Sequence, residues 1–282
     1  MSGARHGDTE TRRQGDAARR RFSLSSPLLV SLACLQMLAV AVAAEAASPW
    51  VDTRQSGPFI CQATFSLRDY EPLLAELQHL QPELVRVLGV SPAPEPVYIY
   101  LFSDADSHRQ FLKEHYPNVP YRRALFVKEG GLAGVYAYRH DELATDLRHE
   151  CTHALLHASL PMVPLWLDEG LAKYFEVPED QRAFDHPYFG SLRWDMRLGM
   201  IRTVSDLEQR HELAEMGASE YRYSWAWVHY MLHGPKESHT ALVRYFAGIH
   251  RGEIAGKFSE QLEYAVPDST EHMVQHFKYW HR

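Results

Sequence analysis

The sequence predicts an α+β domain, with its strands in the first half and helices dominating the second. Three observations point there. The β-rich apolar runs, Phe59 to Phe65, Val97 to Phe102, Ala124 to Val127 and Ala133 to Arg139, all precede residue 140. Beyond them apolar residues recur at three- and four-residue spacing. Between the two regimes, a run of strong helix formers leads into His149-Glu150-Cys151-Thr152-His153, an H-E-x-x-H pattern. With 282 residues, 45% hydrophobic and 23% charged, the chain has an ordinary globular composition, enough for one large domain or two subdomains.

The elements follow in order. Residues 1 to 22 are polar and arginine-rich, 27 to 44 are almost all apolar, and Ala44-Glu45-Ala46 supplies a small-x-small cleavage pattern. This reads as a signal peptide over 1–46, which places the mature protein outside the cytoplasm, in the periplasm or beyond the cell, with no stable membrane span. An uncleaved N-terminal anchor is the alternative, because the apolar run approaches spanning length. Residues 1–46 carry six arginines and four acids, so the remainder holds −9 against −7 for the whole chain. That charge argues against a nucleic-acid or anionic-membrane partner. Cys34 lies in the leader, leaving Cys61 and Cys151, which either pair in an exported protein or sit apart as buried thiols.

Residues 47–57 read as a linker. The α+β part then spans 58–176 and a helical part 177–282. Leu67 to Leu88 reads as an amphipathic helix that Pro82 splits or kinks. Ser91 to Pro96 is a proline-rich turn and Val97 to Phe102 a strongly apolar strand. Asp104 to His115 reads as a helix. The two strands around Glu129-Gly130-Gly131 read as an antiparallel hairpin. After Val177 helices are expected over about 204–216, 219–233, 238–250, 257–265 and 269–281.

Two histidines four apart stand on one helix face, so their ring nitrogens can close on one metal ion. Glu150 beside them is placed to take a proton from a water that the metal activates. The long H-E-x-x-H-x-x-G-x-x-H pattern fails, since Leu156 and Ser159 stand at its glycine and third-histidine positions. His157 shares the face but lies about 12 Å along the axis from His149, too far for one ion. Pro161 and Pro164 end the helix, and Trp166 to Glu176 reads as a second one. Glu169 near its start can face back to the histidines, with Gly170 letting these two helices approach closely. Cys151 points away from the metal face. Asp146, one turn before His149, could orient a ligand from behind or be a plain surface acid. Trp225, Trp227 and Trp280 read as core rather than as a carbohydrate platform.

The histidine pair followed by Trp166-Leu167-Asp168-Glu169-Gly170-Leu171-Ala172-Lys173-Tyr174-Phe175-Glu176 resembles the gluzincin metallopeptidases, and most closely bacterial peptidase-like domains of that clan. Tyr221-Arg222-Tyr223-Ser224-Trp225-Ala226 matches a further stretch of those domains. The resemblance covers roughly 58–282. It implies a zincin-like fold with a small mixed sheet and an H-E-x-x-H helix. It also implies Zn2+ held by His149, His153 and Glu169, Glu150 as base, and peptide or protein substrates. It places a tyrosine at 221 that could donate to the oxyanion, with Tyr223 the alternative. It implies that a strand such as Gly134 to Tyr138 borders the cleft, where substrate can add to its edge; an internal strand is the other reading. The chain departs from the clan in a shorter ligand spacing, in Lys173 where thermolysin-like members have aspartate, and in lacking a G-x-M-E-N segment and hence the amine-binding glutamate of aminopeptidases. The expectation is an exported zinc endopeptidase. The rivals are a non-catalytic zinc protein of the envelope that binds peptide or a partner, and a zinc amidase acting on cell-wall peptides. Oligomeric state has no signature in the sequence.

Overall fold

Val97–Phe102, the most apolar β-rich run, becomes the centre of the sheet. In this computed structural model the described residues are 49–129, 132–254 and 256–281, so the expected signal peptide lies outside them. Five strands, β1 (Asp52–Ser56), β2 (Phe59–Ala63), β3 (Val97–Phe102), β4 (Ala124–Glu129) and β5 (Leu132–Tyr138), lie in the order β1-β2-β3-β5-β4. β2, β3 and β5 run parallel; β1 and β4 are antiparallel edges. One expectation is corrected here, and one left open is decided. The stretch read as a linker contains β1. The strand Gly134 to Tyr138 belongs to β5, which is paired on both sides, so the free edge toward the following helix is that of β4.

Alternation along β3 explains its two faces. Val97, Ile99 and Leu101 enter the main core, while Tyr100 and Phe102 join a smaller aromatic layer with Phe111 and Tyr136 on the other side. That layer is covered by α3 (Ala105–His115), which Asp104 starts by accepting from the amides of Asp106 and Ser107 at 3.1 and 2.9 Å. The expected Leu67 to Leu88 helix is two, α1 (Glu71–Leu77) and α2 (Leu80–Leu88). The break falls at Gln78-His79, ahead of Pro82, which sits in the first turn of α2 where its missing N–H costs nothing.

The long helix α4 (Leu143–Ser159) lies against β4 and β5, burying Leu147, Cys151, Ala154 and Leu155. Cys151 and Cys61 are both buried and unpaired, and burial pushes the Cys61 thiol up to about 12. After Pro161 and Pro164 the chain returns as α5 (Leu165–Phe175). There follow α6 (Glu179–Arg182), α7 (Tyr188–Arg197), α8 (Val204–Leu207), α9 (Ala218–His233), α10 (Lys236–His250), α11 (Phe258–Ala265) and α12 (Ser269–Tyr279). The expected 204–216 helix stops after α8: a Thr203–Asp206 capping box starts it, but residues 209 to 212 are all polar and bury no face. Helix α7 was unexpected; it buries Phe189 and Leu192 between Pro187 and a C-terminal glycine turn at Gly199.

One hydrophobic cluster joins the sheet, α4, α5 and the C-terminal helices, from Phe59 to Phe277. Residues 49–282 cluster as one compact unit. Gly170 makes its close approach to α9 rather than to α4: a Cβ there would lie 2.6 Å from the Ser224 carbonyl oxygen. Among the described residues no helix is long and apolar enough to cross a membrane.

Candidate metal centre

Helix periodicity brings His149 and His153 to one face of α4, and their Nε2 atoms lie 3.2 Å apart. The proline-bounded turn lays α5 across them. Glu169 Oε2 then stands 3.6 Å from His149 Nε2 and 3.8 Å from His153 Nε2. One donor atom from each of the three residues falls within 4.8 Å of the others.

The atoms behind the triangle define its chemistry. His149 Nδ1 is 3.0 Å from Glu176 Oε2, which also accepts from Lys173 Nζ at 2.8 Å. His153 Nδ1 is 2.9 Å from Asp168 Oδ1. A carboxylate only accepts, so it holds the imidazole proton at Nδ1 and turns the Nε2 lone pair inward. Two imidazole lone pairs and a carboxylate oxygen therefore converge on one point. Such a set repels itself unless a cation or protons lie between, and two nitrogens with one carboxylate suit zinc.

The titration behaviour agrees. Burial presses His149 toward neutrality, yet Glu169 and Glu176 outweigh it and raise its pKa. Burial also opposes protonation of His153, but Asp168 lifts it to about 9. Burial pushes the Asp168 and Glu169 carboxyls up, and the facing histidines more than reverse this, so both stay ionised.

Glu150 projects from α4 toward β4, where its Oε2 accepts the Phe126 amide at 2.7 Å. That amide points away from β5, so by alternation the outward backbone groups of the β4 edge belong to Ala124, Phe126 and Lys128. Tyr221, in the first turn of α9, is half-buried, with Lys173 Nζ 5.9 Å from its ring centroid. Its phenol is raised by burial and then by the charge of Glu169. Tyr223 is fully buried, and the charges it feels are those of Asp195, Arg222 and Arg202, away from the triangle. Of the two tyrosines, the one at 221 is the one whose surroundings include Lys173 and Glu169.

Asp146 does not support a ligand. It pairs with Arg123 at 2.6 Å and His140 at 3.2 Å. The carboxylates behind the histidines are instead Asp168 and Glu176. Both stood in the sequence with a usable signal: Asp168 adjoins Glu169, and Glu176 lies seven residues on, two helical turns along the same face. Lys173, one turn before Glu176 on α5, donates to it and offsets its charge. Burial raises the phenol of Tyr188, in the unexpected helix α7, with smaller effects from the charges of Lys173, Glu176 and Glu169.

No sequence-family profile matches the chain, and no curated protein matches it by sequence. Solved structures similar to it are zinc metallopeptidases. An M1 zinc metallopeptidase from Deinococcus radiodurans matches with a TM-score of 0.45 and 15% identity, over 81% of this chain and 50% of that one. A mutant of the same enzyme bound to a Tyr-Ser-Ala substrate gives 0.42 and 15%, again over 81% of this chain and 50% of that chain. A two-domain M1 zinc metallopeptidase mutant bound to L-arginine gives 0.45 and 14%, over 80% and 50%. The chain spans about half the length of these enzymes.

Proposed function

We propose that this protein is an exported zinc metallopeptidase that cleaves peptide bonds within chains. The observation that carries the reading is the convergence of His149 Nε2, His153 Nε2 and Glu169 Oε2 beside Glu150. A zinc ion bound there supplies Lewis acidity, which lowers the pKa of water and draws charge from a carbonyl oxygen. The remaining steps fall to the chain. Glu150 Oε accepts a proton from the attacking water and later returns it to the leaving amine. The Phe126 amide fixes that carboxylate on the β4 side of α4. An extended substrate adds to the β4 edge through the backbone groups of Ala124 and Lys128 and the carbonyl of Phe126, whose amide stays with Glu150. Tyr221, from the opposite wall, donates its hydroxyl hydrogen to the oxygen on which negative charge grows. Asp168 and Glu176 hold the imidazoles in the required tautomer. Residues 1–46 would carry the protein out of the cytoplasm.

The test is hydrolysis of a mixed peptide library by zinc-loaded protein, with a chelator control and Glu150→Gln. Cleavage that the chelator abolishes, and that falls about two to four orders of magnitude in Glu150→Gln while zinc is retained, supports the reading. A protein that holds zinc but cleaves nothing is a binding protein, and the catalytic assignment fails.

A further inference from the structure

His153 offers a nitrogen to each of two groups. Its Nε2 belongs to the triangle with His149 and Glu169. Its Nδ1 faces Asp168 Oδ1 at 2.9 Å, and Asp168 Oδ2 lies 2.9 Å from His157 Nε2. One donor atom each from His153, His157 and Asp168 falls within 4.8 Å of the others. His157 is not used by the proposed reaction.

Two features set this second group apart from an ordinary ion pair. Despite their short separation, neither His153 Nδ1 nor Asp168 Oδ1 makes an aligned hydrogen bond, although the two residues are only 8% and 9% exposed. The pair is held by charge rather than by a well-directed hydrogen bond, and a cation between the two atoms would replace that attraction with two coordination bonds. His157, by contrast, is part-exposed and gives an ion a way in. Two imidazole nitrogens and a carboxylate again form a donor set for zinc rather than for magnesium or calcium.

We propose that His153, His157 and Asp168 form a second, weaker zinc site, filled only at excess metal, and that filling it inhibits the peptidase. The proposal rests on the zinc reading of the first site through the shared His153. Weakness follows from two costs: the entering ion replaces the His153 Nδ1 proton, and it sits near another cation. Inhibition follows from what the three residues hold. Asp168 would turn from positioning His153 to binding the ion. The His157 ring stacks on Phe126, with centroids 5.7 Å apart, and the Phe126 amide holds Glu150. An ion on His157 therefore acts on the ligand His153 from one side and on the base from the other.

Metal-free protein is titrated with Zn2+, counting bound equivalents by metal analysis and following peptide hydrolysis in parallel. The wild type should take one equivalent with gain of activity, then a second at excess zinc with loss of it. His157→Ala and the bulkier His157→Gln should keep the first equivalent, lose the second and resist excess zinc. A second equivalent that survives in both variants places it elsewhere and overturns the proposal, as does a wild type that stops at one equivalent. A second equivalent that leaves hydrolysis unchanged overturns the inhibitory role. A protein that binds no zinc at all overturns the first-site reading itself.

Discussion

The carboxylates behind His149 and His153 decide how tightly the centre can hold a metal. Glu176 fixes the His149 tautomer and shares its charge with Lys173, so Glu176→Gln should fold but lose about 10- to 100-fold in zinc affinity, measured by competition with a chromophoric chelator. An unchanged affinity would show that Glu176 is spectator charge. Protons compete for the same atoms. His153 is raised to about 9, so below that pH the metal-free protein carries a proton that zinc must displace. Zinc affinity should therefore weaken steadily from pH 8 to pH 6; a flat profile would contradict the inward-facing imidazoles. Tyr221→Phe should stay folded and zinc-loaded while losing roughly two to three orders of magnitude in kcat, with KM little changed. Full activity there, with Tyr223→Phe equally active, removes this helix from the mechanism. The sequence alone singled out His149, His153 and Glu150 because their spacing is local, and the structure brings the two ring nitrogens together. Glu169 was legible from its place at the start of a second helix and from the family resemblance. Asp168 and Glu176 were harder to find, because their roles depend on how α5 crosses α4. The two readings of Asp146 stayed open in the sequence because its position one turn before His149 says nothing of the Arg123 and His140 that claim it.

At the scale of elements, α4 and α5 were legible because proline breaks and helical periodicity are local signals, and β3 because an apolar β-branched run has few alternatives. Edge order was not. Whether β4 or β5 is the free edge depends on a parallel β3–β5 pairing across the α3 crossover, which no local pattern records. Nor was the role of Gly170 read correctly. It accommodates α9, whose Ser224 carbonyl would meet a new Cβ at 2.6 Å. Because backbone cannot swing aside, Gly170→Ala should cost about 1–3 kcal/mol in urea unfolding. Its neighbour Glu169 should shift with it, weakening zinc binding. A variant as stable as the wild type would mean that α5 and α9 are not in register as described.

Across the described residues, His108, His186 and His229 are buried and His233 and His276 part-buried. His229, His233, His276 and His186 pack with Trp225, Trp280 and Tyr174 among the C-terminal helices, and His108 lies under the aromatic layer. Burial holds His108, His186, His233 and His276 down to about 4 and His229 to about 2. These folded-state values lie below the ordinary 6.5, so the stability is intact above pH 6.5 and is lost as pH falls toward 4. Each histidine contributes up to about 1.4 kcal/mol per pH unit in that window. The urea midpoint should drop between pH 7 and pH 4.5, and a level midpoint would contradict the burial of these rings. The central claim, that α4 and α5 together build a zinc site, is tested most directly by anomalous diffraction at the zinc edge from zinc-loaded crystals. The expected result is one strong peak about 2.0–2.2 Å from His149 Nε2, His153 Nε2 and a Glu169 oxygen. No peak at that triangle, or a peak lacking Glu169 among its neighbours, would contradict it.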